Sequence, residues 1–308
     1  MKRLLWISAL LFFLPQCLWG KVRVLIFHYN RPDFLEFQYQ TFKKFVLDED
    51  YELIIFNDAP NSKDEKSIQE ICDKYKLQCV RYEQSWHENN PLNEWIRSSV
   101  DSPLKNSFFV FPLENNRPSP KAIFEQCSIR HCHVIQYALD HFGYNHDDIV
   151  VIMDADVFPI KPIKIRDLLI EYPLVGIDSE FKHMHYLWVP FIAFDPKRLP
   201  NITDLKFHLD FIEGILCDTG SHSYHYFKDN PGVPYQLYPR RSDNDFSPWD
   251  ELTFLKFGFN QDGIDKISWP ISMEFYIDYH FIHFVGGSGI PHLKKNQNFL
   301  DFIQCILK

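Results

Sequence analysis

The sequence lacks any block of lysine and arginine, and acidic residues outnumber basic ones by 41 to 32, for a formal net charge of −9 over 308 residues. A protein that binds nucleic acid needs a basic face to neutralise phosphates, so this composition argues against a nucleic-acid partner. Internal repeats, low-complexity tracts and interdomain linkers are also missing, which predicts that most of the chain shares one core. Hydrophobic residues at 45% and aromatic residues at 17% can supply that core and exclude wholesale disorder.

Long apolar runs are confined to the extreme N-terminus. Basic residues at positions 2 and 3 precede a nearly unbroken apolar run over residues 4–19, and Gly20 then offers a small residue for cleavage. This order is typical of a secretory signal peptide, here residues 1–20. The alternative is an uncleaved signal-anchor, but a helix of this length rises only about 24 Å against about 30 Å of hydrocarbon. A strand pattern also begins at Val22 without a spacer. We therefore predict cleavage and a secretory or exported location, with membrane contact only if the segment stays in place.

Cysteine is scarce, and removal of the signal leaves six of the seven cysteines. An even number in an exported chain permits disulfides, although spacing cannot assign them. A bond between Cys72 and Cys79 would join a helix end to the following strand. Buried free thiols are an equal alternative.

Apolar strands alternate with amphipathic helices along the chain. Strands are predicted over residues 22–27, 53–56, 79–82, 149–153, 186–194 and 276–285, and helices over residues 32–46, 63–75, 122–142, 204–216, 250–257 and 294–307. Residues 86–120 are predicted as an irregular insertion with one helix near residues 93–100. The alternation favours an α/β layer fold. Ligands bind beyond the carboxyl ends of strands in such sheets, which makes three polar segments site candidates: residues 29–31, 57–58 and 154–156.

One acidic motif differs from two others by its context. Asp-x-Asp occurs at residues 48–50, 154–156 and 243–245, but only Asp154 and Asp156 follow a run of five apolar residues. Two carboxylates at the mouth of a buried strand repel each other and are costly to desolvate. A divalent cation relieves that cost, because hard cations take carboxylate oxygens as ligands. The motif therefore predicts a metal site, and its alternative is a pair of strand-end aspartates satisfied by caps and water.

Five segments together carry a resemblance to a known family. They are Phe-His-Tyr-Asn-Arg-Pro at 27–32, Phe-Asn-Asp at 56–58, Val-Val-Ile-Met-Asp-Ala-Asp-Val at 150–157, Trp-Asp-Glu-Leu-Thr-Phe at 249–254 and Phe-Ile-His-Phe-Val-Gly at 281–286. In this order and spacing they resemble the GT-A glycosyltransferases, enzymes that use nucleotide-sugar donors, over most of the chain after Lys21. The resemblance implies an α/β fold with a GT-A-like (Rossmann-like) doubly wound mixed sheet, flanked by helices in a single merged domain. It also implies a nucleotide-binding half, residues 21–158, and an acceptor half, residues 159–308.

The resemblance further implies a metal site. In that family the acidic pair holds Mn²⁺ or Mg²⁺ against the donor diphosphate, so Asp156 should bind the metal while Asp154 contacts the ribose or shares the metal. His283 precedes a glycine-containing loop and should supply a third ligand. Lys294 or Lys295 would neutralise phosphate charge, although the family's lysine follows the glycine more closely. A strand-end histidine satisfied by hydrogen bonds is the alternative for His283.

The same resemblance places the donor nucleoside and the acceptor. Arg31, Asn57 and Asp58 lie where these enzymes hold base and ribose. Asp250 and Glu251 lie where an acidic residue approaches the acceptor and the transferring sugar, as a general base or a group that orients the sugar. Capping of a helix is the alternative for these two, because acids are favoured in a first turn.

A helix before the acidic strand carries three candidates for diphosphate binding. They are Arg130, His131 and His133, of which only Arg130 and His133 share a face at their spacing. A solvated helix face is the alternative for all three.

These assignments predict a metal-dependent glycosyltransferase that moves a hexosyl or N-acetylhexosaminyl group from a nucleoside-diphosphate donor to a hydroxyl of a glycan, protein or lipid. A UDP-sugar is the first candidate for the donor. Retention or inversion at the anomeric carbon stays open. A sugar-phosphate nucleotidyltransferase is an alternative enzyme, but its glycine-rich loop after the first strand is missing here. A secreted carbohydrate-binding protein on a degenerate transferase scaffold is the non-enzymatic alternative. An exported transferase would act in a eukaryotic secretory lumen or, from a bacterium, inside a host cell.

Overall fold

The computed structural model describes residues 20–48, 50–99, 113–114, 117–118, 126–181, 183–242, 273–284, 300, 303–304 and 306–308. The N-terminal apolar run, the predicted helix at 250–257 and most of the predicted helix at 294–307 lie outside these residues. Within the described part of the chain, no helix is both long enough and apolar enough to span a membrane.

The described strands and helices alternate through the first half of the chain. The strands are β1 Val22–His28, β2 Tyr51–Asn57, β3 Gln78–Arg81, β4 Leu113–Glu114, β5 Arg117–Pro118, β6 Val150–Asp154, β7 Val157–Pro159, β8 Leu174–Phe181, β9 Met184–Phe194, β10 Phe211–Ile212, β11 Ile215–Leu216, β12 Gln236–Tyr238, β13 Arg241–Ser242, β14 Met273–Tyr276 and β15 Phe281–Phe284. The helices are α1 Pro32–Phe45, α2 Ser62–Tyr75, α3 Gln84–Glu88, α4 Pro91–Ser99, α5 Cys127–Ala138, α6 Ile165–Leu168 and α7 Ser223–Asp229. A π-helical turn, Leu139–Gly143, extends α5, and 3₁₀ turns cover Pro196–Arg198 and Ile202–Asp204.

A seven-stranded mixed sheet forms the centre of the fold, in the order β3-β2-β1-β6-β9-β8-β12. Strands β3, β2, β1 and β6 pair in parallel, whereas β9 runs antiparallel to both β6 and β8. A smaller antiparallel sheet, β13-β14-β15-β7, stands beside it.

The central strand β1 is buried on both faces, which explains its continuous apolar run. On one face Ile26 packs in a cluster with Leu35 of α1 and Ile68 of α2. On the other face Leu25 packs in a cluster with Ile135 of α5. Because successive side chains of a strand point to opposite faces, helices cover both sides of the sheet. The predicted fold class, a mixed α/β sheet flanked by helices, is confirmed.

Two predicted elements are wrong. The helix predicted over 204–216 contains instead a short hairpin, β10–β11, which turns at Glu213 and Gly214 with φ of 51° and 77°. The strand predicted over 276–285 is two strands, β14 and β15, joined by a tight turn in which residues 277–279 all have positive φ. A short apolar run can fit both the helical and the strand repeat of apolar residues, so cross-strand pairing decides which structure forms.

The predicted insertion is more regular at its start than expected, because α3 and α4 follow β3 directly. The helix predicted over 122–142 is described from Cys127, as α5 and its π-helical extension. The described cysteines are free thiols. Cys72 and Cys79 are among them, so of the two alternatives the structure has the one without a disulfide.

Candidate functional site

The carboxyl ends of three adjacent strands meet at one edge of the main sheet. In the β1–β6 register Phe27 lies opposite Asp154, and in the β1–β2 register His28 lies opposite Asn57. A cavity of about 380 Å³ opens beside these strand ends. Residues predicted for the site line it, among them Tyr29, Asp58, Arg130, His131, Asp154, Asp156 and His283. This is the expected place for a ligand in an open α/β sheet.

Asp154, Asp156 and His283 bring potential metal-binding atoms together. One carboxylate oxygen from each aspartate and one ring nitrogen of the histidine all lie within 4.8 Å of one another. Asp154 ends β6, and Asp156 lies in the turn before β7. Strand β15 pairs with β7, and the Phe284 amide donates to the carbonyl oxygen of Asp156 at 2.9 Å. This pairing places His283 Nε2 at 3.3 Å from Asp156 Oδ1.

The second ring nitrogen of His283 is held on the side away from Asp156. Tyr276 Oη lies 2.6 Å from His283 Nδ1 and donates to Glu274 Oε2, also at 2.6 Å. Glu274 Oε2 itself lies 3.4 Å from the same nitrogen. Burial lowers the pKa of His283, but the carboxylates of Asp156 and Glu274 outweigh it and raise the pKa to about 10. A histidine that binds metal usually donates its other N–H to such a partner, so this arrangement suits a ligand that coordinates through Nε2.

Asp154 is paired on the opposite side with His131 of α5, whose Nε2 lies 3.0 Å from Asp154 Oδ1. Burial raises the pKa of Asp154, but the charge and hydrogen bond of His131 outweigh it and hold the pKa below its usual value. For His131, burial acts to lower the pKa, but the charge and hydrogen bond of Asp154 outweigh burial, so the net pKa lies above its usual value. The two imidazoles of His131 and His283 therefore face three carboxylates, those of Asp154, Asp156 and Glu274. Two carboxylates and one imidazole are also a donor set that fits a divalent cation, which competes with protons for the same atoms.

A buried glutamine holds the turn that carries the two aspartates. Gln38 Nε2 donates to the carbonyl oxygens of Asp154 at 2.9 Å and Val157 at 2.8 Å, on either side of the turn. Its Oε1 lies 3.1 Å from His28 Nε2 at the end of β1. Burial lowers the pKa of His28 to about 4, so the ring is neutral near pH 7 and can donate to the amide oxygen. Gln38 thus ties α1 and β1 to the acidic turn.

Asp58 is the centre of a second buried network. Its Oδ1 lies 2.6 Å from His87 Nε2 and accepts from Arg130 Nη2 at 2.8 Å. His87 Nδ1 in turn lies 3.2 Å from His133 Nδ1, while Arg130 Nη1 donates to Gln84 Oε1 at 2.8 Å. Burial, and then the neighbouring His87 and the Arg130 guanidinium, lower the pKa of His133 to about 3. Arg130 and His133 share a face, as their spacing predicts, but that face is buried rather than solvated.

Aromatic rings and a second arginine line or flank the cavity. Trp188 of β9 lines it, with its ring edge-on to His283 at 5.5 Å between centroids. The Arg240 guanidinium lies over the Trp188 ring at 4.5 Å. Tyr29 lines the cavity near Arg130, whose guanidinium is 5.3 Å from the Tyr29 ring centroid. The cavity therefore combines cations and aromatic faces with the acidic group.

Arg31 and Asn57 are not among the residues that line this cavity. The Arg31 guanidinium pairs with Asp33 at 2.6 Å and lies over the ring of Phe34. Asn57 Nδ2 donates to the carbonyl oxygen of Glu65 at 3.0 Å, which connects β2 to α2. Both residues thus make contacts that support the strand ends. Four other predicted residues lie outside the described part of the chain: Asp250, Glu251, Lys294 and Lys295.

Sequence reasoning missed Gln38, His87 and Glu274. Gln38 lies four residues after Phe34 on the apolar face of α1, and a polar residue in such a face is a usable signal of a buried hydrogen-bond network. Glu274 lies directly opposite His283 in the β14–β15 register, a relation that requires the hairpin to be recognised first. His87 reaches its partners through tertiary packing and carries no local signal.

No protein-family model and no curated protein matches the chain. Among solved structures, one match is the mannosyltransferase PcManGT from Pyrobaculum calidifontis in complex with GDP-Man and Mn²⁺, at 13% identity and a TM-score of 0.38 over 72% of this chain and 55% of that one. Another is an active-site mutant of LgtC, at 8% identity and a TM-score of 0.34 over 57% of this chain and 58% of that one. The chain thus spans a little over half the length of each. The function proposed for this chain rests on its own residues.

Proposed function

We propose that this protein is a metal-dependent glycosyltransferase that moves a sugar from a nucleoside-diphosphate donor to an acceptor hydroxyl. The first candidate for the donor is a UDP-sugar. The observation that carries the proposal is the convergence of Asp154, Asp156 and His283 at a cavity beyond the strand ends. A cavity of about 380 Å³ is in the size range of small-molecule sites. Carboxylates that face an anionic diphosphate require a cation between them, because like charges in a buried site repel strongly.

Three side chains would hold the cation. Asp154 and Asp156 supply carboxylate oxygens, and His283 supplies Nε2 while its Nδ1–H faces Tyr276 Oη and, farther away, Glu274 Oε2. Carboxylates suit Mg²⁺ and Mn²⁺, and the imidazole makes Mn²⁺ the first candidate because Mg²⁺ prefers oxygen ligands. When bound, the metal would neutralise charge that develops on the departing diphosphate. Gln38 keeps the turn of the two aspartates in place.

The wall formed by β1, β2 and α5 would bind the nucleotide. Arg130 is fixed by Asp58 and Gln84, and a guanidinium held in place is well suited to a phosphate. The Tyr29 ring offers an apolar face to the base. Asp58 lines the cavity and would accept a ribose hydroxyl. Arg240, whose guanidinium lies over the Trp188 ring, adds a second positive charge beside the cavity.

Transfer exchanges one bond for another at the anomeric carbon. The acceptor oxygen bonds to that carbon, the bond from the carbon to the diphosphate oxygen breaks with its electron pair left on the diphosphate, and the acceptor hydroxyl gives its proton to a base. Asp250 or Glu251 is proposed as that base or as a group that orients the sugar. The acceptor is a glycan, protein or lipid, reached after export through the N-terminal segment.

Isothermal titration of the full chain with UDP and GDP, each with and without Mn²⁺, tests the donor site. We expect binding of UDP that requires Mn²⁺ and that weakens at least about tenfold in Asp156→Asn, since it loses a metal ligand. Asp147→Asn is the matched control, because the Asp147 side chain is 88% exposed and pairs only at the surface with Lys197. Its binding should equal that of the wild type.

Other outcomes would point elsewhere. The proposal would be contradicted if neither UDP nor GDP bound, with or without Mn²⁺. It would also be contradicted if nucleotide binding depended neither on Mn²⁺ nor on the Asp156→Asn change. Glycan binding without metal or nucleotide would favour the carbohydrate-binding alternative. Formation of a nucleotide sugar from a sugar phosphate and a nucleoside triphosphate would favour the nucleotidyltransferase.

A further inference from the structure

A second cluster of histidine and aspartate side chains lies away from the first cavity. His208 and Asp210 precede β10, and His222 immediately precedes α7. One potential ligand atom from each of the three lies within 4.8 Å of the other two. His225, in the first turn of α7, places Nε2 at 3.6 Å from Asp210 Oδ2. None of these four residues is among those that line the first cavity.

Backbone groups orient the donors of this cluster. His208 Nδ1 donates to the carbonyl oxygen of Leu209 at 2.7 Å, which leaves Nε2 as the nitrogen with the lone pair. Asp210 Oδ1 accepts from the Phe211 amide at 2.7 Å, while Oδ2 faces His222 Nδ1 at 2.6 Å. A histidine whose second nitrogen is engaged by a carbonyl is the usual arrangement around a protein-bound metal.

The cluster holds more imidazoles than one carboxylate needs. At His185 and Asp178 an ordinary surface ion pair joins one imidazole to one carboxylate at 2.8 Å. Around Asp210, by contrast, three imidazoles crowd together: the ring centroids of His208 and His222 are 4.2 Å apart, and those of His222 and His225 are 5.6 Å apart. Protonated rings at such distances repel one another, whereas neutral rings can share one cation.

An acidic cavity adjoins the cluster. His222 and His225 line a space of about 250 Å³ together with Asp204 and Asp229. Lys206 lines the same space, so two carboxylates face one ammonium there. This local balance favours the approach of a cation.

We infer that His208, Asp210 and His222 bind a transition-metal ion, Zn²⁺ first, with His225 within reach as a fourth ligand. Imidazole and carboxylate are standard Zn²⁺ ligands, and tetrahedral coordination at about 2.0–2.2 Å separates neighbouring donors by about 3.3 Å. The ligand atoms of His208, Asp210 and His222 lie within 4.8 Å of one another, and His225 Nε2 lies 3.6 Å from Asp210 Oδ2, so side-chain rotations would bring them to this spacing. The ion takes the place of the proton between His222 and Asp210. This site does not depend on the proposed transferase function.

The ion would hold together a segment that also reaches the first cavity. The chain between Asp210 and His222 carries Asp218 and Thr219, which line that cavity. Backbone contacts already close this segment, since the His222 amide donates to the His208 carbonyl oxygen at 3.2 Å. A metal would add a second closure between the β10 segment and α7, so its role is structural.

Zinc binding by the full chain tests this inference once the first site is removed. The background carries Asp156→Asn and His283→Gln, is stripped with a chelator, and is then dialysed against Zn²⁺ alone, with bound metal counted by mass spectrometry. We expect one Zn²⁺ per chain in this background. Adding His208→Gln or His222→Gln should weaken binding at least about tenfold, because each removes a ligand. Adding His185→Gln, the matched surface control, should leave binding unchanged.

Two results would overturn the inference. One is a background chain that binds no Zn²⁺, and the other is binding unchanged by both His208→Gln and His222→Gln. Circular dichroism checks that each variant is folded. If a histidine variant does not fold, Asp210→Asn replaces it, because asparagine keeps an oxygen for the Phe211 amide while it loses the charge. Zn²⁺ should then raise the Tm of the background chain and of the His185→Gln chain but not that of Asp210→Asn, and an equal rise in all three would count against the site.

Discussion

Replacement of Gln38 by methionine tests whether one buried amide holds the acidic turn. Methionine keeps the length and most of the volume of glutamine, but it removes the donor to the carbonyl oxygens of Asp154 at 2.9 Å and Val157 at 2.8 Å. A buried acceptor left without its donor costs about 1–3 kcal/mol, so two of them predict a loss of about 2–6 kcal/mol in the free energy of unfolding. Because the same turn carries Asp156, we also expect Mn²⁺ affinity to fall at least about tenfold.

Urea unfolding followed by circular dichroism measures the stability change of Gln38→Met, and isothermal titration measures its Mn²⁺ affinity. Gln40→Met, half-buried on the same helix, is the matched control and should stay within about 0.5 kcal/mol of the wild type. Gln38→Glu should be worse than Gln38→Met, because a carboxylate would face two carbonyl oxygens. A Gln38→Met protein with wild-type stability and unchanged Mn²⁺ affinity would refute the idea that this amide positions the turn.

Two further predictions concern stability. His28 has a pKa of about 4 in the folded chain and 6.5 in the unfolded chain. Between these pH values the unfolded state binds a proton that the folded state does not, so the free energy of unfolding falls as the pH drops through this window, by about 3 kcal/mol in all. Urea unfolding at pH 7 and pH 4.5 should show a smaller decline for His28→Gln, and an identical decline would contradict the assignment. Gly220 has a φ of 94°, and an added Cβ would collide with the carbonyl oxygen of Leu187, so Gly220→Ala should lose about 2–5 kcal/mol. Gly232→Ala, with open space around it, should change the thermal midpoint little, and equal midpoints for both variants would show that the backbone at Gly220 tolerates a side chain.

Local pattern was enough to predict the parallel part of the sheet. Strands predicted at residues 22–27, 53–56 and 149–153 match β1, β2 and β6 to within about two residues at each end. These strands are buried on both faces, so their apolar runs are continuous and easy to recognise. The prediction failed at 204–216 and 276–285, where short apolar segments form hairpins. There the pairing partner and a left-handed backbone at the turn decide the structure, and neither follows from apolar spacing.

The amino-acid sequence is enough to place Asp154 and Asp156 at the mouth of a buried strand, because five apolar residues lead directly into them. The pairing of β15 with β7, which brings His283 to Asp156 with Glu274 behind it, was decided by the tertiary structure. In the same way, the contact of Asp58 with Arg130 requires β2 and α5 to meet at one edge of the sheet. Contacts between residues far apart along the chain depend on strand order and register, which arise from packing of the whole core rather than from any local run of residues.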